Sequence, residues 1–337
     1  IEDVSMLRNT QFREDAGPTA HPVKPAEYQA IDNFYTTTIY EKGAELIRML
    51  HTLLGETRFM RGMATYVSRF DGTAATTEDF VQAIADGACA DGEPLGFDLA
   101  KFRQWYHQAG TPHLEVKRSW DAAVGQMTVQ MTQTTSATPG QPEKQPLVLP
   151  LAMALVGPEG RLGDEALVVM EGDTMTTTLQ GQPNSSPPAL SFLRRFSAPL
   201  IVQMDQSLQE NLQLFSADDD PFSRWDAGQR LARQVLLARA QGGRDQAVEA
   251  ALIEAMQQRI TAGQAQDRAD LAALLSLPGM AELEALQSPV DPLALYDAMR
   301  SWTEELGRQL QAPLRQVLSL VRHDWPLAWP AGQGGRS

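Results

Sequence analysis

The chain has 337 residues, 43% of them hydrophobic and 21% charged, enough apolar content to pack two or three domains of ~100–200 residues each. Its 42 acidic and 28 basic side chains leave a formal charge of −14, which repels nucleic-acid phosphate and anionic lipid, and no apolar run approaches the ~18–20 residues that cross a bilayer. The single cysteine, Cys89, excludes an internal disulfide framework and any multi-cysteine metal cluster, and makes a reducing compartment the default.

Residue one is Ile1, with no charged start and apolar core of a signal peptide behind it. The far end, HDWPLAWPAGQGGRS, trails into Gly and Pro. Both ends read as cut from a longer protein. Up to about Pro112 the pattern is helical. After the loop holding Pro18, Pro22 and Pro25, a helix is expected from about Ile39 to Leu54, with Leu46, Ile47, Leu50, Leu53 and Leu54 at three-to-four spacing and Gly55 as its stop. Thr38-Ile39-Tyr40-Glu41 fits a capping box, or else Thr38 lies inside a helix that starts earlier. A second helix is expected from about Glu56 to Phe70, and a third from Thr76 or Thr77 with Phe80, Val81 and Ile84 inward. A fourth is capped by Asp98, carries Leu99, Phe102, Trp105 and Tyr106 on one face, and ends at Gly110 and Pro112.

The period then changes to two. Met127, Val129 and Met131 alternate with Thr128, Gln130 and Thr132; Leu147, Leu149, Leu151, Met153 and Leu155 follow the same rule, as do Leu200, Val202 and Met204. Such runs, separated by Gly, Pro, Asp and Asn over ~100 residues, predict a β-sandwich. From about Ser207 the pattern is helical again. Asp220-Pro221 and Asp291-Pro292 each give a cap followed by proline at the first helical position. The Ala- and Gln-rich helices suggest stacked pairs, without a repeat regular enough to name.

Motifs for self-contained chemistry are missing. There is no H-E-x-x-H, and His21, His51, His107, His113 and His323 have no zinc-ligand spacing. No G-x-S-x-G, phosphate-binding glycine loop or basic aromatic stripe occurs. Asn184-Ser185-Ser186 fits a glycosylation sequon that is read as chance. Met49, Met60 and Met63 read as core filler, His21 as a loop-anchoring donor or a support behind the catalytic floor, and His51 as facing solvent or a neighbouring helix. Cys89 is a bystander in a loop, and Asp218-Asp219-Asp220 is a helix start with Asp220 as cap. One side chain is placed for chemistry: Tyr40, at or near a helix start with a glycine one turn along, could donate its phenol hydrogen to developing negative charge or simply pack its ring on the helix.

Tyr40-Glu41-Lys42-Gly43-Ala44-Glu45, preceded by Asn33-Phe34-Tyr35-Thr36, resembles the aminopeptidase N (alanyl aminopeptidase) family of zinc-dependent gluzincin metallopeptidases, most of all its bacterial cytoplasmic form. The likeness extends through Glu14-Asp15-Ala16-Gly17-Pro18, Ala20-His21-Pro22, Leu46–Glu56 and Asp71–Thr76. It continues in Phe102-Arg103-Gln104-Trp105-Tyr106, Gly110-Thr111-Pro112, Thr138-Pro139, Glu143–Pro146, Phe196-Ser197-Ala198-Pro199 and Phe222–Ala227. It is thinner beyond about residue 230, and the tail from about residue 313 does not fit it well.

The resemblance implies a multi-domain α+β protein. Residues 1–112 would be the helical C-terminal part of a thermolysin-like catalytic domain, 113–205 an Ig-like β-sandwich, and 206–337 the start of a superhelical α-helical domain. It also implies that the substrate-amine loop, the H-E-x-x-H helix and the downstream glutamate ligand lie upstream, so that zinc belongs to the full-length parent and this chain holds no metal ligand. In the family a zinc ion and a glutamate base activate water to remove the N-terminal residue of a peptide, and the oxyanion is shared between zinc and a tyrosine hydroxyl. Tyr40 matches that tyrosine and Tyr35 a residue lining the pocket for the first substrate side chain. Asp32 departs from the usual asparagine, and Glu41 and Lys42 are read as local scaffold: cap, helix-face charge and support for the tyrosine. A cytoplasmic protein acting on peptides, monomeric when intact and without nucleic-acid or membrane partners, is expected. The alternative is a non-catalytic binding or scaffold protein that keeps the sandwich and helical modules.

Overall fold

A computed structural model describes residues 1–183, 186–262 and 268–324; the sequon at Asn184 and the closing tail lie outside the described residues. The first helix, α1, runs as Glu2–Met6, a π-helical turn at Leu7–Gln11, and Phe12–Ala16. A second π-helical turn, Thr38–Lys42, leads directly into α2, Gly43–Phe70. Gly55 breaks α2 with φ 73°, a left-handed conformation that glycine adopts without steric cost. The expected stop at Gly55 and fresh start after it are therefore both present.

Of the two readings of Thr38, the capping box is absent and the place inside an earlier-starting helix is the one found. The helix starts earlier, where Thr36 Oγ1 accepts the Ile39 N–H at 3.2 Å and Thr36 O accepts the Tyr40 N–H at 3.2 Å. Helix α3, Thr77–Ala88, is capped by Thr76 in a reciprocal box with Asp79, and α4, Leu99–His107, by Asp98. Among the three methionines, Met49 is fully buried but Met60 is 53% exposed and so is not core filler.

Among the described residues seven strands follow: β1 His113–Asp121, β2 Gln126–Thr134, β3 Leu149–Gly157, β4 Gly160–Met170, β5 Thr174–Gln180, β6 Ala189–Phe192 and β7 Ile201–Met204. They form two sheets ordered β5-β2-β1-β7 and β4-β3-β6. All pairs are antiparallel except β1 with β7, where Leu114 lies opposite Val202. Met127, Val129 and Met131 point into the core, as the alternation of β2 requires. Strand β3 departs from its alternation, since all its residues are buried. Its second face is covered by α2 and by α5, Leu208–Ala217.

Helix α6, Pro221–Ala240, packs on α5, on α7 (Gln246–Ala262) and, after α8 (Arg268–Leu274) and α9 (Met280–Glu284), on α10 (Pro292–Gln309). Helix α11, Gln311–Asp324, follows. Asp220 and Asp291 cap α6 and α10 by accepting the Ser223 and Ala294 N–H groups, each with proline in the first turn, as their sequence predicts. The other two acidic side chains of that run are paired: Asp218 and Asp219 take Nη1 and Nη2 of the buried Arg194 at 2.7 and 2.5 Å. No helix among the described residues is long and apolar enough to cross a membrane.

Candidate functional site

The side chains around Tyr40 are arranged by the start of its helix. A free helix N-terminus exposes unpaired N–H groups and a partial positive charge. Here Glu14, from α1, supplies the complement: its Oε2 accepts the Thr37 hydroxyl at 2.7 Å, the Thr38 N–H at 2.8 Å and the Thr38 hydroxyl at 2.7 Å. Gln11 Nε2 donates to the same Thr38 hydroxyl oxygen at 3.3 Å. Thr38 is completely buried and the two π-helical turns pack against each other at this point. Such turns widen a helix by one residue and recur at functional sites.

At the end of the widened start, Lys42 turns inward. It is 1% exposed, so the expectation of a helix-face charge is corrected. Its Nζ donates to Asp15 Oδ2 at 2.8 Å and to Gly110 O at 3.0 Å, and lies 5.9 Å from the centre of the Trp105 ring. Asp15 also accepts the Gly110 N–H at 3.1 Å and the Thr111 hydroxyl at 2.9 Å. Burial works to raise the Asp15 pKa, but the Lys42 charge and the hydrogen bonds from Lys42, Gln11 and Gly110 outweigh it and hold the carboxyl below its ordinary value. Trp105 in turn donates its Nε1–H to Val148 O at 2.8 Å, tying the helices to the sandwich. Three sequence motifs, Glu14–Pro18, Tyr40–Gly43 and Gly110–Pro112, thus meet at one buried ion pair.

Above this base Tyr40 is 56% and Tyr35 63% exposed. Their rings stack with centroids 6.2 Å apart and planes 19° apart, and Tyr35 meets Phe34 edge-on at 6.3 Å. Among the described residues neither hydroxyl has a hydrogen-bond partner. A phenol held on a braced backbone with its donor unspent can hydrogen-bond an anion presented from outside. Farther along α2, Arg48 pairs with Glu45 and donates to the carbonyl oxygens of Arg195 and Phe196, anchoring the helix to the sandwich. Leu193, Arg195 and Phe196 around that anchor have φ of 59°, 55° and 52°, positions strained for side-chain-bearing residues.

His21 Nδ1 is 2.8 Å from Pro22 O, in keeping with a loop-anchoring donor. His51 meets Glu56 at 2.5 Å and packs edge-on against Phe59. Among the described residues no group of three His, Cys, Asp or Glu can hold a metal ion, so the zinc implied by the resemblance does not fit this chain's own side chains.

Glu14, Asp15 and Thr36 were not singled out as parts of this site from sequence. A signal was present for Lys42: it lies four residues before Leu46, on the apolar stripe of the helix, where a lysine without a buried partner is costly. The partners, 27 and 68 positions away, leave no local pattern.

Three family profiles match successive stretches of the chain. They are the Peptidase family M1 domain over residues 2–105, a domain of unknown function with an Ig-like fold over 110–205, and a domain of unknown function described by ARM repeats over 208–336. Aminopeptidase N of Caulobacter vibrioides is 41% identical over 337 residues, 100% of this chain and 38% of the relative. Aminopeptidase N of Escherichia coli is 37% identical over 326 residues, 94% of this chain and 37% of the relative. In fold the chain is similar to Legionella pneumophila aminopeptidase A, solved in complex with aspartic acid, with a TM-score of 0.75 at 22% identity over 96% of this chain and 37% of that one. The chain spans less than two-fifths of the length of these relatives. The C-terminal helices match a repeat family, in keeping with the expected stacked pairs; the expectation of an ill-fitting tail is corrected, since the match continues to residue 336. With the whole chain aligned to bacterial aminopeptidase N and its fold shared, this protein belongs to the aminopeptidase N family of M1 peptidases.

Proposed function

We propose that this chain supplies one wall of an aminopeptidase active centre, in a protein of the length of its relatives that removes N-terminal amino acids from peptides. In this reading the Tyr40 hydroxyl donates a hydrogen bond to the oxyanion that forms as water attacks the scissile carbonyl, and the Tyr35 ring lines the pocket for the first substrate side chain. The observation that carries it is the setting of Tyr40: a phenol with an unspent donor, on a π-helical turn pinned by Glu14 and undergirded by the Lys42–Asp15 pair. Preorganised donors act most strongly where charge develops, so the bond lowers the barrier more than it tightens substrate binding.

Zinc dependence belongs to this proposal through the resemblance, with the ligands contributed from outside these residues. The chain alone is accordingly expected to be inactive. Division at about residues 112 and 205, a cytoplasmic location and a monomeric intact protein complete the reading.

The test is Tyr40→Phe in the protein extended to the length of its relatives, assayed with chromogenic aminoacyl substrates. Fold and metal content are expected to be unchanged while kcat falls ~10²–10³-fold, the usual result of deleting one oxyanion donor. Retention of more than half the kcat would return Tyr40 to a packing role. The isolated 337-residue chain is expected to show no chelator-sensitive turnover, and finding it would place the metal ligands within the chain.

A further inference from the structure

A cavity of about 430 Å³ lies where α1, the β1/β7 edge of the sandwich and helices α6 and α9 meet. Neither Tyr35 nor Tyr40 is among its walls. Its apolar lining includes Phe12, Phe192, Leu193, Val202, Met204 and Leu286.

Its charged lining includes Arg8, Arg230 and Arg233 together with Asp226 and Glu282. Arg8 Nη1 pairs with Asp226 Oδ1 at 2.7 Å. Arg230 pairs with the other oxygen of Asp226 and donates its Nε–H to Asn211 Oδ1 at 2.8 Å; Arg233 pairs with Glu282. At the rim, Arg13 lies 3.6 Å from Glu284. With that pair balanced, three guanidiniums face two carboxylates, and these groups leave one positive charge in a chain whose formal net charge is −14. The Arg230 guanidinium reflects this: burial, opposed by Asp226 but joined by the Arg233 and Arg8 charges, pushes its pKa below the ordinary value. Gln206 also faces the cavity. Its Nε2 donates to Leu190 O at 3.0 Å, but its Oε1 is buried without a partner.

An uncompensated cation, an unpaired buried acceptor and an apolar wall in one recess ask for a matching set on a ligand: one negative charge, one neutral N–H and an apolar body. We propose that this cavity binds the C-terminal end of a peptide whose last residue is apolar. The carboxylate meets the arginines, the amide N–H of that residue serves Gln206 Oε1, and the side chain lies on the Phe192–Leu193 wall. A free amino acid fits less well, because its ammonium adds a second positive charge beside the arginines. This inference stands apart from the role given to Tyr40.

The experiment titrates the whole 337-residue chain by calorimetry with N-acetyl-L-leucine, N-acetyl-L-leucinamide and 4-methylpentanoate at low salt. N-acetyl-L-leucine is expected to bind one to one. The amide, lacking the charge, should bind at least about tenfold more weakly, and 4-methylpentanoate, lacking the N–H, roughly two- to tenfold more weakly. Gln206→Met should erase the second difference. Leu286→Trp should block binding by filling the recess from a residue 55% exposed, leaving the far-ultraviolet circular dichroism intact. No binding at millimolar ligand, an amide that binds as tightly as the acid, or full binding by a folded Leu286→Trp chain would overturn the site. Equal binding of 4-methylpentanoate would overturn the peptide assignment in favour of a fatty acid.

Discussion

Lys42 Nζ lies 2.8 Å from Asp15 Oδ2 with 1% and 0% of the two side chains exposed, so the lysine of the tyrosine motif spends its charge inside the protein. A buried pair gains less from its own attraction than it loses when one member is removed. Lys42→Met is therefore expected to destabilise the chain by about 3–5 kcal/mol, read as a lowered urea midpoint. Adding Asp15→Leu should recover part of that loss. Recovery stays incomplete because the Gly110 N–H and Thr111 hydroxyl then lose their acceptor. A Lys42→Met chain within about 1 kcal/mol of the parent would show that water reaches the pair.

The same pair sets a pH dependence. Asp15 is held below its ordinary value of 3.8 in the folded chain, so its contribution is fully present above that pH and is lost as pH falls through the folded value. In Lys42→Met the cation is gone and only the hydrogen bonds from Gln11 and Gly110 still oppose burial, so the folded pKa of Asp15 rises above its value in the parent. The variant then gains stability relative to the parent as its carboxyl is protonated. The stability gap between parent and variant should narrow as pH is lowered from 7 toward about 4. A gap of constant size over that range would remove Asp15 from the linkage.

The order of elements was legible because periodicity reports which face is buried. Gly55 as a break, Thr76, Asp98, Asp220 and Asp291 as caps, and the inward Met127-Val129-Met131 all follow from local chemistry that needs no distant partner. Where a tertiary neighbour decides, the reading fell short. Local pattern left two places open for Thr38, a cap or a helix interior, and only its burial against Glu14 from another helix selects the interior, with the start passing to Thr36. Strand β3 lost its alternation to the helices covering its second face. Tyr40 and Tyr35 were found through the motif, and the structure brings their rings together. The acidic residues beneath them belong to α1 and give no sign of their target in the sequence around Tyr40.

Close packing of α2 on α3 depends on two glycines. A Cβ on Gly87 would come within 2.7 Å of Arg61 O and of Gly62 Cα, and one on Gly62 within 2.7 Å of Ile84 O. These are backbone atoms, which cannot rotate away. Although alanine favours a helix over glycine, Gly87→Ala is expected to cost about 1–3 kcal/mol, the usual penalty for overpacking. Thermal unfolding measures it, and a stabilised Gly87→Ala would mean that the two helices separate without loss.

Glu14 reaches Tyr40 only through the backbone, by taking the Thr37 hydroxyl and the Thr38 N–H and hydroxyl. If it is a positioning residue, its value to the reaction runs through the tyrosine hydroxyl. Glu14→Gln keeps the shape but removes the charge that complements the helix start. In the protein of relative length, kcat is expected to fall roughly fivefold, equivalent to about 1 kcal/mol, with KM nearly unchanged. In a Tyr40→Phe background the same substitution should have almost no further effect on kcat, because the group it positions is gone; the two losses then fall short of adding by about 1 kcal/mol. Tyr35→Phe is the control, since it removes the neighbouring hydroxyl yet should shift the preference among aminoacyl substrates more than the rate. Full additivity of Glu14→Gln and Tyr40→Phe would mean that Glu14 supports the fold generally and that the braced helix start is not what aims the phenol.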